Sequence, residues 1–300
     1  MNKFIKLSTG MVLSVGMLVG AAPAGATISQ IADVAVKPAS GTGVAKGKNY
    51  VKLNSYLATR DAASTRGTMK ANPVGKVVMT FPVGSTINLN ATPGCNKSEY
   101  SFVSALASGC ASSVVGTGWA LLNTGSNVLQ GQLTGAPADC LESDATQYSR
   151  TYRSGPPSCT PLGGVWVKVT AYQGGVLKNQ LWNHVPGVPF NKFTKTAIIF
   201  ANDNGIAPLA FAGNIKNNVL TVNIPSLNGD GAGAGELTGG WVLSDFKLDI
   251  TKPNYLKAGA CTSSKKWTVN TKFTYSKLKG EVNGPSPATT SINSTSTCKA

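Results

Sequence analysis

Acids and histidines are few in this chain. Of 300 residues, 12 are Asp or Glu, and His184 is the single histidine. A zinc centre built on several imidazoles is excluded, because only one is on offer. No Cys-x-x-Cys pair occurs either, so the usual thiolate spacing for zinc is missing. No Gly-x-Ser-x-Gly segment is present, which removes the strained turn that displays the serine of an α/β-hydrolase. Charged residues amount to 13% of the chain, about half the usual share. Solubility must therefore rest on uncharged polar groups. Beyond residue 26 no apolar run reaches the roughly 20 residues that a bilayer-spanning helix needs.

The N-terminus has a different character. Lys3 and Lys6 precede an apolar run, Met11 to Gly20, and the stretch ends in Ala24-Gly25-Ala26. A positive start, a short apolar segment and small residues at positions −3 and −1 describe a cleavable secretory signal over residues 1–26. The apolar run is too short to cross the roughly 30 Å hydrocarbon core. No Cys follows the cleavage point, so lipid anchoring is not expected. Removing residues 1–26 leaves 25 bases against 12 acids, a net charge of +13. Such a surface favours anionic partners, and a cell-wall polymer or polysaccharide fits an exported chain. The bases are spread along the chain, as in Lys46-Gly-Lys48 and Lys265-Lys266. No motif or basic stripe with stacking aromatics points to nucleic acid.

All six cysteines lie past the signal: Cys95, Cys110, Cys140, Cys159, Cys261 and Cys298. An even count in an exported chain reads as a disulfide framework. Short loops close most easily, which favours neighbours: Cys95 with Cys110, Cys140 with Cys159, and Cys261 with Cys298. No metal site is expected among them.

Strand patterns dominate the rest. Lys76–Phe81 is an apolar run closed by Pro82-Val83-Gly84, and Thr86–Asn90 alternates. Gly118–Leu122 and Asn127–Leu133 flank a turn. Val165–Tyr172 alternates with period two and leads through Gly174-Gly175 into Val176–Trp182, which predicts a hairpin. Further strands are predicted at Thr196–Phe200, Pro208–Phe211, Asn218–Ile224, Trp241–Ile250 and Trp267–Tyr275. No long segment carries helical periodicity. The expected fold is all-β, an antiparallel β-sandwich, arranged as two Ig-like or jelly-roll-like units stabilised by disulfides. The expected divisions are a signal (1–26), a flexible leader (27–50), and β-rich domains at 51–162 and 163–300.

Val74-Gly-Lys-Val-Val-Met-Thr-Phe-Pro-Val-Gly84, followed by Cys95, Cys110 and Val114-Val-Gly-Thr-Gly118, resembles a group of uncharacterised bacterial secreted β-rich proteins. Their pattern is Phe-Pro-x-Gly, two cysteines, then Val-Gly-x-Gly. Ala207–Phe211, Leu220–Pro225, Asp245–Ile250, Cys261, Trp267 and Cys298 extend the similarity. Where the group has Cys-Pro, this chain has Cys110-Ala111. The resemblance implies secretion and a β-rich fold, and it brings no activity or functional residues.

The chemistry-bearing residues are few. His184, in Trp182-Asn-His-Val-Pro186, is the one imidazole a hydrolase could use. A retaining glycosidase needs two carboxyls about 5 Å apart. Asp245 and Asp249 share a strand face but stand about 13 Å apart along it. Asp203 and Asp230 could be paired only by the fold. Asn202–Gly205 and Asn228–Gly231 contain calcium-like residues without the EF-hand Glu, and read better as turns. Of Trp119, Trp166, Trp182, Trp241 and Trp267, four sit in alternating apolar strands and suit core packing. Trp182, beside Asn183 and His184, is the best candidate for an exposed sugar platform. These features predict a secreted, non-enzymatic extracellular or cell-envelope protein with a structural or binding role and no cofactor. The alternatives are a carbohydrate-binding module using Trp182 and, behind it, a hydrolase using His184.

Overall fold

The computed structural model describes residues 28–38, 50–61, 74–95, 110–123, 153, 164–174, 181–182, 191–192, 197–202, 210–224, 242–259, 261–276 and 288–298. They form fifteen strands: β1 (Ile28–Pro38), β2 (Tyr50–Asp61), β3 (Val74–Thr80), β4 (Thr86–Ile87), β5 (Val114–Asn123), β6 (Gly164–Gln173), β7 (Leu181–Trp182), β8 (Asn191–Lys192), β9 (Ala197–Asn202), β10 (Ala210–Lys216), β11 (Val219–Asn223), β12 (Val242–Ile250), β13 (Leu256–Lys257), β14 (Lys266–Tyr275) and β15 (Thr289–Thr297). A 3-10 turn, Ala111–Ser113, precedes β5. Among the described residues no helix is long and apolar enough to cross a membrane.

Thirteen strands share one antiparallel sheet in the order β15-β14-β3-β11-β10-β9-β6-β5-β12-β2-β13-β4, with β1 on the free edge of β2. The sheet folds back on itself as a sandwich, and edge strands β15 and β1 meet. The Val36 amide donates to Ser296 Oγ at 3.0 Å, and Ser294 Oγ donates to the Ala32 carbonyl at 3.0 Å. Side chains of β15 thus take up backbone groups that edge strand β1 would otherwise leave open.

Period-two alternation places the core. In β14, Trp267, Val269, Thr271, Phe273 and Tyr275 point inward, as the sequence predicts. Trp267 and Val269 are fully buried, and each apolar side chain so enclosed contributes about 1.5–3 kcal/mol. One cluster joins Val34, Leu53, Val77, Leu220, Leu248, Phe273 and their neighbours from every part of the chain. The β3–β10–β11–β14 wall therefore packs against the β2–β12 wall.

Several expectations change. Ile28–Pro38 falls inside the expected flexible leader, yet it is a strand paired with β2 along all eleven residues. Its inward residues, Ala32, Val34 and Val36, are small, so the alternation is faint in sequence. Of the predicted Val165–Tyr172 and Val176–Trp182 hairpin, residues 175–180 lie outside the described residues. Strand β6 is flanked by β5 and β9, and Leu181–Trp182 pairs with Asn191–Lys192. The described strands do not separate at residue 163. Strand β3 lies between β11 and β14, and β2 lies against β12, so both halves contribute to one sheet and one core. Residues 127–133 lie outside the described residues.

Two disulfides form as expected, Cys95–Cys110 and Cys261–Cys298, with Cα atoms 5.3 and 5.8 Å apart. The first fixes the segment after β4 to the turn before β5, and the Cys95 amide also bonds the Gln173 carbonyl at 2.8 Å. The second ties the end of β15 to the turn entering β14. Cys140 and Cys159 lie outside the described residues.

The resemblance motifs have physical roles. The Ser85 amide bonds the Pro82 carbonyl at 3.0 Å, closing a turn whose third residue, Gly84, has φ +83°. That is the type II position that favours glycine. In Val-Gly-Thr-Gly, a Cβ on Gly118 would collide with the Lys247 carbonyl oxygen of β12. Glycine there lets β5 lie close against its neighbour.

Candidate functional site

Of the sequence-derived candidates, Trp119, Trp166, Asp245, Asp249 and Trp267 are the ones whose side chains the structure describes. Trp182 lies in β7 opposite Asn191, while its side chain and His184 lie outside the described residues. Asp203, Asp230 and Trp241 also lie outside them. Asp245 and Asp249 are engaged separately. Asp245 sits at a bulge of β12, 1% exposed, and accepts a hydrogen bond from the Tyr56 hydroxyl. Asp249 accepts from Asn54 Nδ2 at 2.7 Å and faces Lys247 Nζ at 3.9 Å. Among the described residues no three His, Cys, Asp or Glu side chains are grouped closely enough to hold a metal ion.

The tryptophans bear on sugar binding. Trp267 is 0% and Trp119 9% exposed. Trp119 packs edge-on to half-buried Trp166, with ring centroids 4.8 Å apart, and lies 6.1 Å from Tyr56. These side chains form a second, smaller apolar cluster on the outer face of β1, β2, β12, β5 and β6, together with Ile31 and Ala58. Arg153 adds its guanidinium 5.7 Å from the Tyr56 ring centre and 2.6 Å from Asp33. Side chains packed this way do not offer a flat, open ring to a saccharide.

The other outer face has different chemistry. Residues alternate outward along β15, β14, β3, β11 and β10, and the registers align them in cross-strand rows. One row runs Thr289, Thr274, Lys76, Asn223. The next runs Ser291, Lys272, Val78, Thr221, Asn214. A third runs Asn293, Asn270, Thr80, Val219, Lys216. Thr295 opposite Thr268, and Thr297 opposite Lys266, complete the face. Lys76, Lys216, Lys266 and Lys272 are exposed, as are all five outward residues of β15. No Asp or Glu stands in these rows. Five strands at about 4.8 Å and nine residues at about 3.3 Å make a face of about 20 by 27 Å. Lys76 and Lys272 are diagonal neighbours, about 7–8 Å apart.

The lysines of this face are scattered in sequence, from residue 76 to residue 272. The legible signal is that Lys266 and Lys272 share the polar phase of the alternating segment Lys266–Tyr275. The contribution of Lys76 and Lys216 depends on pairing between distant strands. A β-sheet also fixes the spacing of such groups better than a loop does, because each backbone position is held by ladder bonds on both sides.

Burial pushes the Tyr255 hydroxyl above its usual pKa range. Tyr275 shifts the same way from burial, opposed by a hydrogen bond with Thr290. Both rings are neutral core elements with no acid–base task at ordinary pH. Compared with known proteins, the chain matches no family model, no curated protein and no solved structure.

Proposed function

We propose that this chain is an exported, non-enzymatic β-sandwich protein that binds an anionic polymer of the cell envelope on the outer face of β15–β14–β3–β11–β10. The observation that carries the reading is charge composition. Four exposed lysines stand in a field of Thr, Ser and Asn hydroxyls and amides, with no carboxylate in the same rows. Lysine supplies the attraction to phosphate or carboxylate groups, and the surrounding hydroxyls and amides supply hydrogen bonds along an extended chain. Exposed charges act weakly one at a time, so the binding strength comes from repetition along the polymer.

Cosedimentation with a phosphate-bearing wall polymer, set against neutral cellulose, tests the reading. Retention on the anionic polymer should fall as salt rises through about 0.15 M, where the Debye length is about 8 Å. A triple Lys76→Glu, Lys266→Glu, Lys272→Glu variant should lose at least about tenfold in affinity, roughly 1.4 kcal/mol. Equal retention on both polymers, or an unchanged triple variant, would remove the proposal.

A further inference from the structure

The interior holds a feature that polymer binding on the outer face leaves unused. Between the two walls runs a cavity of about 70 Å³. Protein cores are packed to crystal density, and a void large enough for one water needs only about 10–15 Å³. Its lining follows the strands rather than forming a sphere. On β2 it extends from Leu53 to Thr59, and on β12 from Ile250 back to Leu243. Six steps of about 3.3 Å make a slot about 20 Å long. Opposite, Val74, Val77, Met79, Leu220, Val222 and Phe273 close it. A modest volume with its lining spread over that length suits a thin guest better than a ring system.

The two ends differ. At one end stand Ile87, Leu256, Phe81 and Ile215, all apolar. At the other stand Gln30, Thr59 and Ser244, with the Asp245 backbone beside them and its carboxylate turned outward to Tyr56. The polar groups there are already engaged by the protein. Gln30 Oε1 accepts from Thr59 Oγ1 at 2.8 Å and from the Tyr275 hydroxyl at 3.0 Å, and its Nε2 donates to the Ala58 carbonyl at 2.7 Å. Midway, Ser55 Oγ donates to the Leu248 carbonyl at 2.9 Å. The slot therefore offers a guest almost no hydrogen bonds, and apolar contact is what it can give. The middle of the lining is buried, whereas Gln30, Leu243, Ser244 and Ile224 at one end, and Ile87 and Ile215 at the other, are half-buried. The slot therefore comes nearest to solvent at its ends.

We infer that this slot is a binding site for one extended aliphatic chain, such as the acyl tail of a lipid. A linear methylene chain is the one common biological shape that is long, thin and free of polar atoms. Each buried CH2 contributes about 0.8 kcal/mol, or about fourfold in affinity, so binding grows with length until the slot is filled. The polar end suits the point where the tail meets its headgroup, because the wet groups of a lipid are best left near water.

Titration of the mature full-length chain with cis-parinaric acid tests the inference. The result expected is saturable fluorescence enhancement at one probe per chain. Saturated fatty acids should displace it with an affinity that rises with chain length and then levels off. Val222→Phe places a ring across the middle of the slot and should weaken the probe at least tenfold. Val77→Met, a gentler obstruction by an unbranched side chain, should weaken it in the same direction and serves if the first variant does not fold. The triple lysine variant should bind the probe as the wild type does, which separates this site from the outer face. No saturable binding, several probes per chain, or equal binding by a folded Val222→Phe or Val77→Met variant would overturn the inference.

Discussion

The two outer faces of this sandwich solve opposite problems with the same backbone. On β1–β2–β12–β5–β6 the outward rows carry Tyr56, Trp119 and Trp166, together with the acids Asp33 and Asp249. Those residues are stacked, bonded or capped by Arg153. On β15–β14–β3–β11–β10 the outward rows carry hydroxyls, amides and lysines, with the four lysines and the outward residues of β15 exposed and Thr80, Asn214, Thr221, Asn270 and Thr274 half-buried. Aromatic rings gain by leaving water, so the first face acts as a second core. Hydroxyls and ammonium groups gain little by burial and lose hydration, so the second face stays in solvent. The difference separates a surface that stabilises the fold from one that stays open to solvent.

Truncation should expose the contrast most strongly at Trp119. Trp119→Ala removes the central ring of the covered cluster and should cost about 3–5 kcal/mol, read from the midpoint of urea unfolding. A loss below about 1 kcal/mol would mean that the cluster is decoration rather than core. Opening the Cys261–Cys298 bridge by a double Cys→Ser change should cost about 3–4 kcal/mol for its 37-residue separation. That bridge ties β15 to the entrance of β14, so amide exchange should rise first along these two strands. Exchange that rises equally across β5 and β6 would contradict a local anchor. The smallest effects belong to single exposed side chains. Arg153→Ala gives up an exposed ion pair and one cation–π contact and should cost about 1 kcal/mol. Thr268→Ala on the open face should stay within about 0.5 kcal/mol. A larger loss at Thr268 than at Arg153 would reverse the assignment of the two faces.

Particular residues show how much was legible in sequence. Trp267–Tyr275 alternates without interruption, and its inward and outward phases are as the pattern predicts. The same holds for Asn218–Ile224, where β11 runs from Val219 to Asn223. Strand β15 has Ser and Thr on both phases, and its only apolar residue is Ile292, so no alternation marks it. Strand β2 is blurred because Ser55 and Thr59 point inward among Leu53 and Leu57. Ser55 satisfies its hydroxyl on the Leu248 carbonyl and Thr59 on Gln30, bonds that require a neighbouring strand to exist first. That β6 is flanked by β5 and β9 is not legible at Gly174-Gly175, because sequence shows a turn's composition but not which strands compete for each edge.

The candidate sites follow the same logic. The two disulfides could be read from loop length, because closure entropy depends only on separation along the chain. The lysine face could not, since Lys76 and Lys272 become neighbours only through the β3–β14 pairing. Nor could the slot, which is a gap between walls and belongs to no single segment.

By itself, the sequence determined that the chain is all-β, that it is basic and poor in acids, and that Cys95–Cys110 and Cys261–Cys298 are within easy reach of each other. Those properties are local or additive: a period of two, a sum of charges, a length of loop. Only the tertiary structure decided that both halves share one sheet, that the lysines stand on a face without carboxylates, and that a narrow apolar slot runs between the walls. Each of these depends on which strand edges pair, and pairing between distant strands is settled by burial and backbone hydrogen bonding over the whole molecule at once.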